Sequence, residues 1–185
     1  MTEATASYVT FEDFLAGERD AERRHELVGG RVYGMSGGTE RHDLVAGLIY
    51  EALVAGAKAK GCRPFMGNRL VRTRDDSAYY PDVMVVCGKA PHVQHETDPT
   101  LIVEVQSPST RSIDRREKVV AYAKAPSLRL LLLVDPHDRR IEAAYPGDGK
   151  VHHWTVFGPG ELIVTDYGPI HIDTLYDELD ALATT

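Results

Sequence analysis

Two apolar segments of the 185-residue chain each carry a single carboxylate. In Pro81-Asp82-Val83-Met84-Val85-Val86, Asp82 opens an apolar run, and in Leu101-Ile102-Val103-Glu104-Val105-Gln106, Glu104 interrupts one. A carboxylate on a covered strand is costly to bury unless a cation, a base or a metal ion neutralises it. One such acid alone is most simply half of a structural salt bridge. Two on separate strands, followed by a basic helix, point to a divalent-metal site. Oxygen ligands suit Mg2+ or Mn2+. Such an ion polarises a phosphoryl oxygen and lowers the pKa of a bound water, and a nearby lysine stabilises developing negative charge. This is the equipment of a phosphodiester hydrolase.

Period-two alternation puts Ile102, Glu104 and Gln106 on one face of their strand. Asp114, Lys118 and Tyr122 follow at i, i+4 and i+8, on one face of a helix expected over 112–124. If that helix packs back on the sheet, Lys118 approaches Glu104. The plainer account of Asp114 and Lys118 is an exposed ion pair worth a few tenths of a kcal/mol.

The elements needed to position these groups are legible in outline. Thr10 and Asp13 have the spacing of a helix cap. Two short apolar-containing runs flank Gly29-Gly30, as in a β-hairpin. Leu44, Val45, Leu48, Ile49, Ala52 and Leu53 recur at helical spacing within a long helix over 40–60, which Gly61 stops. Strands are expected at 68–74, 81–87, 101–106, 129–134, 139–145 and near 151–157, with a last helix near 173–182. The 101–106 and 129–134 strands are almost wholly apolar, as strands covered on both faces are. With a helix between them they suggest a crossover within one sheet. The class is α/β or α+β with a mixed sheet.

Length fits one domain, residues 1–185. Apolar residues at 43% and charged residues at 26% are ordinary for a soluble globular protein. No apolar run is long enough to span a bilayer, and residues 1–10 do not have the pattern of a signal peptide. Two cysteines, Cys62 and Cys87, make neither a disulfide framework nor a metal knuckle, so a reducing cytoplasm is the simplest location. The net charge of −7 argues against a general nucleic-acid coating protein. Any nucleic-acid surface must be local, at Arg69, Arg72 and Arg74 or at Arg111, Arg115 and Arg116. Solvated surface is the plainer account of both clusters.

Several pieces taken together resemble the Uma2 family of restriction-endonuclease-like proteins. They are His25-Glu26-Leu27-Val28-Gly29-Gly30-Arg31-Val32, Met35-Ser36, His42 and Pro81-Asp82-Val83. They continue as Val103-Glu104-Val105-Gln106-Ser107-Pro108-Ser109-Thr110, Asp114, Lys118, Tyr122 and Val134-Asp135-Pro136. The resemblance spans roughly residues 10–175 and is most specific from Val103 through Asp135.

It implies a PD-(D/E)xK nuclease: an α/β restriction-endonuclease-like fold, its mixed central sheet flanked by helices. Asp82 and Glu104 then hold Mg2+ or Mn2+, and Glu26 adds a third acid from an N-terminal element. The basic motif places its lysine two residues after the second acid, where this chain has Gln106. The similarity to members with a migrated lysine points to Lys118 instead, and Gln106 is placed to hold a water or a phosphate oxygen. His42, near the start of the long helix, either reaches the site or caps the helix, and Glu26 is otherwise a hairpin surface acid. The family's aromatic pair before Val-Asp-Pro is replaced by Leu131-Leu132-Leu133, which reads as a core substitution. The implied partner is nucleic acid, DNA before RNA or a small phosphodiester. A homodimer is expected, because cutting a duplex needs two sites related by symmetry. The competing function is a non-catalytic binding or assembly module on the same fold.

Overall fold

The structure, a computed structural model, describes residues 8–35, 37–89, 94–107 and 117–183. Asp114 and the Arg111, Arg115 and Arg116 run lie outside the described residues. In chain order the elements are α1 (Phe11–Arg19), β1 (His25–Val28), β2 (Arg31–Gly34), α2 (Glu40–Ala59), β3 (Arg63–Met66), β4 (Leu70–Arg74), β5 (Ser77–Tyr79) and β6 (Val83–Val86). Then come β7 (His95–Glu96), β8 (Pro99–Val105), α3 (Val119–Tyr122), β9 (Leu130–Val134), β10 (Ile141–Gly147) and β11 (Lys150–Phe157). The hairpin β12 (Leu162–Thr165) and β13 (Gly168–His171) leads into α4 (Ile172–Leu182).

Local chemistry sets the boundaries. Thr10 caps α1, its Oγ1 accepting from the Asp13 N–H at 3.2 Å. Thr39 caps α2 in the same way, through the His42 N–H at 3.3 Å. Gly29 and Gly30 have φ of 56° and 77°, the left-handed pair that lets a two-residue turn match the twist of β1 and β2. Gly56 is needed for another reason: a Cβ there would stand 1.8 Å from the Tyr167 carbonyl oxygen, so only glycine lets α2 meet the β12–β13 turn.

The central sheet has the order β11-β10-β9-β8-β6-β3. Strands β8 and β9 run parallel while the other neighbours are antiparallel, so the sheet is mixed. Strands β6, β8 and β9 are apolar because both their faces are covered. Val83, Val85, Val103 and Leu132 pack with Ile49 and Leu53 of α2 and Tyr176 of α4. Met84, Ile102, Leu131 and Leu133 pack with Tyr122 of α3 and with Val71 and Tyr79 of a second sheet, ordered β2-β1-β5-β4-β7. Leu131, Leu132 and Leu133 are thus all core. The flanking layers therefore include this second sheet, which the sequence pattern did not separate from the first. Among the described residues, no helix is long and apolar enough to cross a membrane.

Two expectations are corrected. Cys62 and Cys87 form a disulfide. Cys62 precedes β3 and Cys87 follows β6, and these strands pair with Arg63 opposite Val86, so the thiols occupy the next cross-strand position. With β3 unrecognised, nothing in the sequence brought them together, and the pairing removes the cysteine argument for a reducing compartment. Closing a loop over 25 residues stabilises a fold by roughly 3 kcal/mol. Urea unfolding with and without reductant should differ by about that amount; coincident curves would mean the thiols are unpaired in solution.

The second correction concerns Arg69, Arg72 and Arg74, which are tied to acids. Arg69 and Arg63 both clamp the fully buried Glu96, at 2.6 and 2.8 Å. Arg72 pairs with Asp75 and Glu12 and lies over the Phe11 ring, while Arg74 pairs with Asp76. These arginines fasten the second sheet and α1 rather than forming a free phosphate-binding stripe.

Candidate active site

The parallel strands β8 and β9 end at a cavity of about 590 Å3, in the crevice beyond the carboxyl ends of strands where α/β folds tend to bind ligands. Glu26, His42, Asp82, Glu104, Gln106 and Lys118 all line it. They come from six places along the chain: β1, the start of α2, the residue before β6, the last turn-ward positions of β8, the residue after β8, and the residue before α3.

Asp82 sits one residue before β6, not within it. The β6–β8 register pairs Val83 with Val103, and its next step sets Asp82 opposite Glu104. Residues so opposed have Cβ atoms roughly 5 Å apart. Asp82 Oδ2 accepts from the Val105 N–H at 2.7 Å and lies 3.4 Å from His42 Nε2. His42 Nδ1 lies 3.2 Å from Asp43 Oδ1. The hydrogen bond to Asp82, aided by Asp43 and opposed by burial, pushes the His42 pKa up to about 9. His42 is therefore an imidazolium at neutral pH, with both ring nitrogens donating. It does reach the site; the helix cap is made by Thr39 instead.

Glu104 is held by both oxygens. The Tyr122 hydroxyl donates to Oε1 at 2.5 Å, and Lys118 Nζ lies 3.4 Å from Oε2. Lys118 Nζ is also 2.8 Å from Glu26 Oε1, which in turn accepts from the Tyr80 N–H at 3.4 Å. One ammonium thus bridges two carboxylates, and at 8% exposure Lys118 points inward, not to solvent. Burial, then the charge of Glu104, pushes the Tyr122 phenol well above its usual range, so it keeps its proton and donates. Tyr79 stacks edge-on against Tyr122 at 5.3 Å and lies 5.7 Å beneath the Lys118 ammonium. The i,i+4 spacing of Lys118 and Tyr122 signalled a shared helix face, but not that Tyr122 would bind Glu104. Tyr122→Phe should cost roughly 1–3 kcal/mol by leaving Glu104 Oε1 without this donor. An unchanged urea midpoint would show the hydroxyl to be dispensable.

Gln106 lies on the same strand face as Glu104, 5% exposed. Its backbone N–H donates to Val134, but its side-chain Nε2 is buried without a hydrogen-bond partner among the described residues. Buried donors are normally satisfied, so this amide marks a place for a ligand or water oxygen.

Among the described residues no three or more His, Cys, Asp and Glu side chains are arranged to hold a metal ion. Glu26 is engaged by Lys118 and does not already converge with the other two acids. The donor chemistry still fits Mg2+ or Mn2+, which are commonly bound through one or two carboxylates with water and substrate oxygens in the remaining positions. Asp82 and Glu104 are the two carboxylates that could serve as that pair.

A family model described as "Uma2: Putative restriction endonuclease" matches residues 11–168, a span that contains every residue of this site. The chain belongs to the Uma2 family. Similar proteins include two from Synechocystis sp. The "Uncharacterized protein slr1290" is 31% identical over 144 residues, covering 74% of this chain and 74% of its own. The "Uncharacterized protein sll1609" is 27% identical over 147 residues, covering 77% and 83%. The crystal structure of "a putative nuclease belonging to DUF820" from Anabaena variabilis superposes with a TM-score of 0.76 at 18% identity, over 92% of this chain and 99% of that one. That likeness shows the fold of the Uma2 chain to be a nuclease-like α/β fold with helices flanking its sheets.

Proposed function

We propose that this Uma2 protein is a metal-dependent endonuclease that hydrolyses phosphodiester bonds in DNA, with residues 1–185 acting as one domain. The observation that carries the proposal is the convergence of Asp82, Glu104 and Lys118 in one cavity beside the unpartnered amide of Gln106. In this reading Asp82 and Glu104 would hold Mg2+ or Mn2+, and Glu26, held by Lys118, would contribute only through a water. Such an ion would supply a polarised phosphoryl oxygen and an acidified water. The chain's own residues do the rest. Tyr122 and the Val105 N–H fix the two strand carboxylates in orientation. Lys118 stabilises negative charge developing on the phosphate. Gln106 Nε2 donates to a phosphate oxygen or to a water. His42, as imidazolium, pairs with Asp82 Oδ2, the oxygen that also accepts from the Val105 N–H.

The test is cleavage of plasmid and oligonucleotide DNA with Mg2+ or Mn2+ against chelator, with Glu104→Gln alongside. Metal-dependent cutting lost in the variant supports the proposal. Absence of cutting on DNA, RNA and a small phosphodiester would overturn it. One observation favours a non-catalytic binding module instead: the position two residues after Glu104 is Gln106, in a chain of net charge −7. Binding without cleavage would decide for it. If both strands of a duplex are cut, two copies must act together. Trp154 and Val156 on β11, and Leu162 and Val164 on β12, are apolar side chains left exposed to a partner. Light scattering checks this, and a monomer at working concentration would rule out that mode.

A further inference from the structure

We infer that the cavity-facing side of the β1–β2 hairpin is a platform for an unpaired nucleotide, and that the substrate is a single-stranded stretch of DNA; this rests on the nuclease proposal and narrows it. The hairpin register pairs Glu26 with Tyr33 and Val28 with Arg31. Directly opposed residues project to the same face, so these four side chains share one side of the hairpin. Three of them, Glu26, Val28 and Tyr33, line the cavity. Glu26 is the acid bridged by Lys118 at 2.8 Å, so Tyr33 stands one cross-strand step from the charged cluster.

The chemistry of that face is specific. Tyr33 is 51% exposed, and Val28 is only partly buried. An aromatic ring left open beside a phosphate-cleaving cluster has a use: each nucleobase has a π-face that stacks on it, whatever its sequence. Arg31 is exposed on the same side, and no acid pairs with it among the described residues. This distinguishes it from Arg69, Arg72 and Arg74, which are all tied to acids. An aromatic with a free cation two residues away is the pairing that takes a base and its flanking phosphate. A cavity of about 590 Å3 has room for a nucleotide or two. An unpaired strand also needs only one site per chain.

The test is binding, measured apart from cleavage. Fluorescence anisotropy is read with the full chain in Ca2+, using an end-labelled 8-nucleotide DNA strand and the same sequence as a duplex. The single strand should bind at least 10-fold tighter than the duplex. Stacking on one aromatic is worth between about 5-fold and 100-fold, so Tyr33→Ala should weaken the single strand by that factor, while Tyr33→Trp retains binding. Arg31→Ala should reduce the slope of log affinity against log salt by about 0.7, one phosphate contact. Tyr33 is half-exposed, so the variants should fold; circular dichroism checks this. Equal or tighter duplex binding, or single-strand binding indifferent to Tyr33→Ala, overturns the platform. The two proposals fail separately. DNA cutting with no Tyr33 dependence of binding removes the platform alone. Tyr33-dependent binding with no metal-dependent cutting removes the nuclease alone.

Discussion

Replacing Lys118 with alanine should eliminate phosphodiester cleavage while Mn2+ binding survives. In the folded chain its ammonium lies 2.8 Å from Glu26 and 3.4 Å from Glu104, with the side chain almost wholly covered. Removing it leaves two carboxylates facing one another without this cation. Breaking a buried pair costs about 3–5 kcal/mol, so the apo variant should melt well below the parent. A divalent ion can take the place of the lost charge. Saturating Mn2+ should therefore raise the melting temperature of Lys118→Ala more than that of the parent, since a ligand stabilises by its affinity for the folded state. Cleavage would not recover, because charge stabilisation at the reacting phosphate is worth on the order of 100- to 1,000-fold. Calorimetry, melting curves and a cleavage assay on the two proteins check this together. Cleavage within a few-fold of the parent would make Lys118 a structural cation, and Gln106 would then be the group that meets the phosphate.

The elements that carry the site were legible for reasons specific to each. Thr10 and Asp13, the Gly29-Gly30 pair and the apolar spacing of α2 are local signals, and local signals survive in one dimension. Asp82 and Glu104 stood out because one opens an apolar run and the other interrupts one, and burial on both faces of β6 and β8 is what made those runs apolar. Other features are products of pairing between distant segments. β5 and β7 are short, with 3 and 2 residues, and offer too few positions for an alternation to register. β3 carries Pro64, which disfavours a strand except at an edge, and β3 is the edge of its sheet. Missing β3 hid the Cys62–Cys87 cross-strand neighbours as well. Tyr122 was visible as a helix-face residue, but its bond to Glu104 depends on how α3 packs against β8, which no spacing within the helix specifies.

Asp82→Ala should take Mn2+ binding below detection by calorimetry, and Glu104→Ala should do the same. Two opposed carboxylates are the minimum protein contribution this site offers to a divalent ion, and one alone leaves nearly the whole coordination sphere to water. The two variants differ in what else they disturb, which makes the pair informative. Glu104→Ala strips the acceptor from the Tyr122 hydroxyl and one partner from Lys118, so it should also be destabilised. Asp82→Ala instead frees the Val105 N–H and removes the group that holds the His42 pKa near 9. In that variant the His42 resonance, followed by NMR titration, should move back toward the ordinary value of 6.5. The sign of the stability change follows. A histidine whose folded pKa is raised contributes stability that is complete below its unfolded pKa and is lost as pH rises through the folded one. The parent should therefore exceed Asp82→Ala most clearly below about pH 6.5, with this contribution fading toward about pH 9. A His42 titration unmoved by Asp82→Ala would show that the 3.4 Å contact does not persist in solution. Mn2+ bound undiminished by both variants would place the ion on other residues and remove the basis for assigning Asp82 and Glu104 as its ligands.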